Sequence, residues 1–224
     1  MATVIVFDVN ETLLDLAALD PLFAETFGDA SVRREWFSQV LLSSMTATLA
    51  NRYAGFDEIG AAALTMIGER HGVAVDTSFR QAVGDGMRHL PPHPDVPEAI
   101  ARLREAGFRL ATLTNNPPPV VEAQLSNAGI RDHIDLVLSV EAVRRFKPAP
   151  EVYSMAAQRL DIPIGDMRLV AAHGWDVAGA MAAGSAAAFV ARPGCVLDPI
   201  HPEPDIVGPD LSAVASEIIA RDSP

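Results

Sequence analysis

Five short apolar runs limit what this chain can fold into. Thr3–Phe7, Phe108–Thr114, Asp135–Ser139, Met167–Ala172 and Ala186–Ala191 are each followed by a polar or a proline- or glycine-bearing segment, as expected of strands buried on both faces. From about Asp95 onward these runs alternate with helical patterns. Between Asp95 and Ala106, Val96, Ile100 and Leu103 share one face, Asp95 and Glu98 have the spacing of a capping box, and Gly107 suits a helix end. Such alternation predicts an α/β fold, a parallel sheet covered by helices on both faces.

The stretch from Leu16 to Leu90 breaks the alternation. Its apolar residues follow helical spacing only, as in Phe37, Val40, Leu41 and Met45 and then Ile59, Ala63, Met66 and Ile67, while Gly72–Val75 is too short for a strand. Pro91, Pro92 and Pro94 mark the return to the alternating pattern. The expected organisation is a core made of residues 1–15 and 91–224 with a helical segment, 16–90, inserted into it. A chain of 224 residues is long enough for such a core plus a small second domain. Pro193 to Pro209 reads as a proline-rich loop with one short strand near Ile206.

Composition narrows the possible partners. With 49% hydrophobic and 21% charged residues the chain reads as soluble and globular. Lys and Arg total 17 against 29 Asp and Glu, a net charge of −12 without a basic cluster, which argues against nucleic acid as a partner. An anionic ligand must therefore be captured by local cations and backbone N–H groups. The one cysteine, Cys195, excludes an internal disulfide and fits a reducing compartment. No apolar stretch reaches membrane-spanning length, and Thr3–Phe7 lacks the flank and length of a signal peptide. A cytoplasmic location is expected.

Chemistry-bearing residues fall just after the strand-like runs. Asp8 stands at the tip of the first, either as a rigidly held nucleophile at the carboxyl end of a sheet or as a turn or N-cap aspartate. The second run ends in Thr114-Asn115-Asn116 before three prolines, an anion site or an ordinary helix cap. Lys147 precedes a proline-initiated helix, and His173-Gly174-Trp175-Asp176 follows the fourth run.

Taken together, these segments resemble the motifs of the haloacid dehalogenase (HAD) superfamily, and within it the type II 2-haloacid dehalogenases. The resemblance implies a Rossmann-like core with a helical cap inserted after the first strand, and an active site between the two. Asp8, in Phe7-Asp8-Val9-Asn10-Glu11-Thr12-Leu13, matches the covalent nucleophile, with Asn10 and Thr12 in the same motif on the substrate side. Phosphatases of the superfamily carry an acidic residue where this chain has Asn10. A neutral amide cannot protonate a leaving alkoxide, whereas a departing halide needs only hydrogen bonds and positive charge. Thr114 and Asn115 match the Ser-Asn pair that contacts substrate carboxylate and halide, Lys147 matches the lysine that neutralises the nucleophile, and Tyr153 matches a position near the substrate. Trp175 and Asp176 match the end of Ser-x-Asn-x-Trp-Asp, whose Asp orients the lysine and the water, but Ala171 and His173 replace its Ser and Asn. His173 is then a structural histidine, or a group that orients or deprotonates water or hydrogen-bonds halide.

In the inserted segment Arg33 matches the halide-receiving arginine, with Arg34 one register away. Phe37 lies on the same helical face as Arg33, and Phe56 matches a pocket wall. The implied activity is hydrolysis of short (S)-2-haloalkanoates, including haloacetates and by extension fluoroacetate, to (R)-2-hydroxy acids through an aspartyl ester. Neither cofactor nor metal is implied, and a homodimer is. The rival readings are a magnesium-dependent phosphatase or phosphonatase and a non-catalytic small-molecule-binding relative.

Overall fold

The computed structural model describes residues 2–222. Six strands, β1 (Val4–Phe7), β2 (Arg109–Thr114), β3 (Leu136–Ser139), β4 (Met167–Ala171), β5 (Ala186–Val190) and β6 (Ile206–Gly208), form one sheet in the order β3-β2-β1-β4-β5-β6, with every pairing parallel. The first five begin or end one residue inside the apolar runs that predict them, although the Asp135 and Ala191 N–H groups just outside β3 and β5 still donate to the Leu110 and Gly208 carbonyls. β1 lies in the middle. Phe7 is level with Thr112 on one side and Val170 on the other, and all of β1 is buried.

Five helices complete the core: α5 (Val96–Glu105), α6 (Pro118–Asn127), α7 (Pro150–Leu160), α8 (Gly174–Ala182) and α9 (Leu211–Asp222), if four earlier helices are counted first. Those four, α1 (Asp20–Phe27), α2 (Val32–Leu49), α3 (Phe56–His71) and α4 (Thr77–Arg88), follow β1 without an intervening strand. Their common interior is aromatic: Phe23 packs on Phe27, Trp36 and Phe79 with ring centroids 5.4 to 6.0 Å apart. The Trp36 indole N–H donates to the Gly60 carbonyl (3.0 Å), tying α2 to α3. The chain leaves the sheet and returns to it through two adjacent extended segments. The His93 N–H donates to the Leu13 carbonyl and the Asp15 N–H to the Pro91 carbonyl, both at 2.9 Å. Among the described residues no helix is long and apolar enough to cross a membrane.

One local expectation is corrected. Asp95 does not form a capping box with Glu98, since its side chain caps no helix N–H of α5. Its carboxylate instead accepts two bonds from Arg192 (2.8 and 2.9 Å) and one from the Leu211 N–H (2.5 Å). A guanidinium, even through its Nη1 alone, is a stronger partner than a neutral amide, and the bond from the Leu211 N–H fastens the start of α9 to the start of α5.

Because all six strands run the same way, their carboxyl ends lie along one edge of the sheet, and the chain order reverses direction at β1. In open α/β sheets that edge, at the reversal, is the crevice where ligands bind. The segments bearing Asp8, Asn115 and His173 open there.

Candidate active site

Asp8 follows β1 directly, and its N–H donates to the Val170 carbonyl (3.0 Å), which fixes the backbone between β1 and β4. Its two carboxylate oxygens have separate partners. Oδ1 accepts from Lys147 Nζ (2.8 Å), and Oδ2 accepts from Thr12 Oγ1 (2.7 Å) and lies 3.0 Å from His173 Nδ1. Thr12 Oγ1 in turn accepts from the Ala172 N–H at 2.9 Å, so the hydroxyl is aimed from both sides. Lys147 spends its remaining protons on Asp176 Oδ2 (2.5 Å) and the Leu113 carbonyl (3.0 Å). Asp176 Oδ1 accepts from Tyr153 Oη at 2.6 Å. Lys147, Asp176 and Tyr153 are all buried.

Such packing of charge alters proton affinities. Burial disfavours the Asp8 carboxylate, but Lys147 and His173 outweigh it and hold its carboxyl well below the usual range. Burial likewise penalises the Lys147 ammonium, and Asp176 and Asp8 more than restore it. Asp176 moves the other way: its complete burial raises it, Lys147 offsets only part of this, and the charge of Asp8 adds to it. The result is an ionised Asp8 paired with a charged lysine.

His173 bridges two carboxylates. While Nδ1 meets Asp8, Nε2 lies 2.9 Å from Glu11 Oε2. Burial disfavours imidazolium, yet these two neighbours push its pKa up to about 9. Glu11 has φ +60, a left-handed conformation that costs a residue with a β-carbon about 1 kcal/mol. Its Oε1 also lies 3.4 Å from Arg33 Nη1, and Arg33 Nε donates to Asp20 Oδ1 at 2.6 Å. The His173 ring stacks on Trp175 with centroids 5.0 Å apart and lies 6.3 Å from Phe37.

A family model of haloacid dehalogenase-like hydrolases matches residues 2–184. The chain belongs to that family. Among curated relatives, the (S)-2-haloacid dehalogenase H-109 of Pseudomonas putida is 30% identical over 218 residues, 96% of this chain and 97% of its own length. The crystal structure of an L-2-haloacid dehalogenase from Xanthobacter autotrophicus superposes with a TM-score of 0.91 at 27% identity, covering 99% of this chain and 100% of that one. The same Xanthobacter enzyme with chloropropionic acid covalently bound gives a TM-score of 0.91 at 26% identity and the same coverage.

Around the buried charges of this hydrolase lie two cavities that share Phe37. One, of about 290 Å³, is lined by Glu11, Arg34, Phe37, His173, Trp175 and Cys195, among others. The other, about 100 Å³ and mainly apolar, is lined by Trp36, Phe37, Phe56, Met87, Asn116 and Val120, among others. Phe37 and Trp175 therefore wall the space beside His173, and Phe56 walls the second space. Arg33 is buried behind Glu11, whereas Arg34 reaches the larger cavity. Asn115 Oδ1 accepts the Lys147 N–H (3.2 Å), and Thr114 Oγ1 accepts the Asn116 N–H (3.1 Å), so both side chains shape the loop after β2. Asn10 Oδ1 accepts from Asn116 Nδ2 (3.2 Å) and Gln124 Nε2 (3.1 Å). Tyr153 sits beneath Asp176 and lines neither cavity.

Glu11, Asp20 and Gln124 join this network although nothing in the sequence assigns them a role. Glu11 lies between two motif residues, and a carboxylate following Asn10 carries no mark of its partner 162 residues away.

Proposed function

We propose that this hydrolase removes halide from short (S)-2-haloalkanoates and returns (R)-2-hydroxy acids. The observation that carries the reading is Asp8: an ionised carboxylate fixed at the central strand tip, with Lys147 on one oxygen and the His173 side of a small cavity at the other. Asp8 attacks C2 opposite the halogen, halide leaves, and C2 inverts. Water then attacks the carboxyl carbon of the Asp8 ester and regenerates the aspartate. Lys147 neutralises the nucleophile, Asp176 holds Lys147, Tyr153 holds Asp176, and Thr12 orients Asp8. Arg34, the cap arginine that reaches the cavity beside His173, and Asn115 receive halide, with Arg33 behind it bonded to Asp20 and Glu11; Thr114 and neighbouring N–H groups hold the substrate carboxylate, and Phe37, Phe56 and Trp175 restrict the alkyl group to a small one. Asn10 completes the loop by its bonds to Asn116 and Gln124, and His173 is the titratable group in contact with the nucleophile. No cofactor or metal enters this chemistry. The names of the curated relatives and the covalent chloropropionic acid complex support the reading.

A homodimer and a cytoplasmic location belong to the same proposal. Leu42 and Leu49, two turns apart on α2, are 59% and 88% exposed, and a second copy would cover such a pair. Halide release from the two enantiomers of 2-chloropropionate, with chelator present, tests the activity. Release from the (S) form alone, with D-lactate as product, is expected. A single turnover in heavy-oxygen water should place label in Asp8, and Asp8→Asn should abolish release while the fold persists. No release from either enantiomer by folded protein would overturn the reading.

A further inference from the structure

We propose that Glu11 and His173 act as a positioning carboxylate and a general base, His173 deprotonating the water that hydrolyses the Asp8 ester, and that alkylation of Asp8 is what switches the base on. The inference rests on the dehalogenase reading. Its geometric foundation is the line Asp8 Oδ2, His173 Nδ1, His173 Nε2, Glu11 Oε2, with spacings of 3.0 and 2.9 Å at the wall of the larger cavity. Glu11 holds a left-handed backbone in order to reach the ring, and strain of this kind persists only where surrounding contacts enforce it.

In the free enzyme the imidazole lies between two negative carboxylates and is imidazolium at neutral pH. The first step consumes one of them: the Asp8 oxygen bonds to C2, the carbon–halogen bond breaks, and halide leaves with the electron pair. The ester is neutral, so His173 loses the stronger of its two anchors and releases its Nδ1 proton to solvent through the cavity. That proton is the one the overall hydrolysis delivers. Glu11 keeps the proton on Nε2, which leaves the Nδ1 lone pair facing the ester. Nδ1 then takes a proton from water as hydroxide adds to the Asp8 carbonyl carbon. The tetrahedral adduct collapses by breaking the bond between that carbon and the alkoxide oxygen, and His173 protonates the leaving alkoxide. The regenerated Asp8 carboxyl gives its proton back to Nδ1, restoring the starting pair.

The groups that face or flank His173 are Asp8 and Lys147 in the core, Arg33 and Arg34 of α2, Glu11, and the Cys195 thiol of the proline-rich loop. Only Asp8 changes charge during the reaction. The same environment thus gives a hydrogen-bond donor while halide departs and a base once it has gone.

Two measurements test the pair. The first is an NMR titration of the His173 ring in the free protein. Asp8→Asn, which removes the charge as the ester does, and Glu11→Gln should each lower its pKa by more than one unit, and an unchanged value in either variant overturns the switch. The second is intact-mass analysis during turnover of (S)-2-chloropropionate. Glu11→Gln should keep a full first-turnover burst of halide, lose at least tenfold in kcat with little change in KM, and accumulate protein carrying the alkyl adduct on Asp8. His173→Gln should also accumulate adduct, and Glu11→Asp should recover part of kcat. A slowed burst without adduct overturns the base role. Folded wild-type protein that releases no halide removes the dehalogenase reading, and the base role with it, whereas loss of the adduct signature alone removes only the pair.

Discussion

The bridge from Asp8 through His173 to Glu11 should make the stability of the protein fall on the alkaline side of neutrality, and His173→Gln should remove most of that fall. His173 has a folded pKa pushed up to about 9 from its ordinary 6.5. The stabilisation is therefore fully present below the unfolded value and is lost as pH rises through the folded one, since between the two the native state binds the proton and the unfolded chain does not. Each unit is worth about 1.4 kcal/mol, so the pair contributes about 3 kcal/mol at pH 6 and almost none at pH 9.5. The substitution also removes the stacking of His173 on Trp175, which does not depend on pH. The diagnostic quantity is thus the change in the difference between wild type and variant, measured by urea denaturation at pH 6 and pH 9.5. That difference should shrink by about 3 kcal/mol. A difference constant to within about 0.5 kcal/mol would refute a buried imidazolium clamped between two carboxylates.

Lys147→Met should cost about 3 to 5 kcal/mol at pH 7 because it strands Asp8 and Asp176, both buried, without the cation that separates them. Part of the loss should return at pH 5 as one carboxyl takes a proton, and urea midpoints at the two pH values read this directly. Gly179→Ala should lower both Tm and kcat, because a β-carbon there would stand 2.5 Å from Pro148 Cβ and 2.6 Å from Tyr153 Oη, pushing on the residue after Lys147 and on the hydroxyl that holds Asp176. An overpacking cost of about 1 to 3 kcal/mol is expected; unchanged melting and turnover would show that the loop yields without moving the lysine.

The central strands were legible because β1, β2, β4 and β5 are buried almost throughout and leave runs of apolar residues. Their order across the sheet was not, since nothing in β4 states that it lies beside β1 rather than beside β3. The Asp95 and Glu98 spacing shows how a local signal misleads. It is equally compatible with a cap and with a charged partner, and the choice was made by Arg192, 97 residues away. In the site, Asp8, Lys147 and Asp176 each follow or lie near a strand end in a recognisable motif, and the fold brings them within hydrogen-bond distance. The bond from Glu11 to His173 depends on a left-handed φ and on two loops meeting across the sheet edge, neither of which residue spacing encodes. Arg33 was placed on a helical face by its spacing, but what that face touches, Asp20 and Glu11, belongs to other elements.

The paired segments at Leu13–Asp15 and Pro91–His93 have a mechanical consequence. Helices α1 to α4 hang from the sheet like a door on a single hinge, so whatever keeps the far side shut must come from other contacts. Those latches include hydrogen bonds, the Phe146 N–H on Thr48 Oγ1 (2.9 Å), Arg145 on Asn51 (3.3 Å), Gln124 on the Met87 carbonyl and Asn127 on the Arg88 carbonyl (both 2.8 Å), and Arg33 on Glu11, together with the Phe146 ring packed on Tyr53 and Phe56 and the Arg144 guanidinium over Tyr53. Each hydrogen bond among them is worth roughly 1 kcal/mol, small enough to open singly. Together they determine how firmly the far side of the helical segment is held against the sheet. Arg33 is the latch that also touches the chemistry, so opening the door at that corner loosens the grip on Glu11.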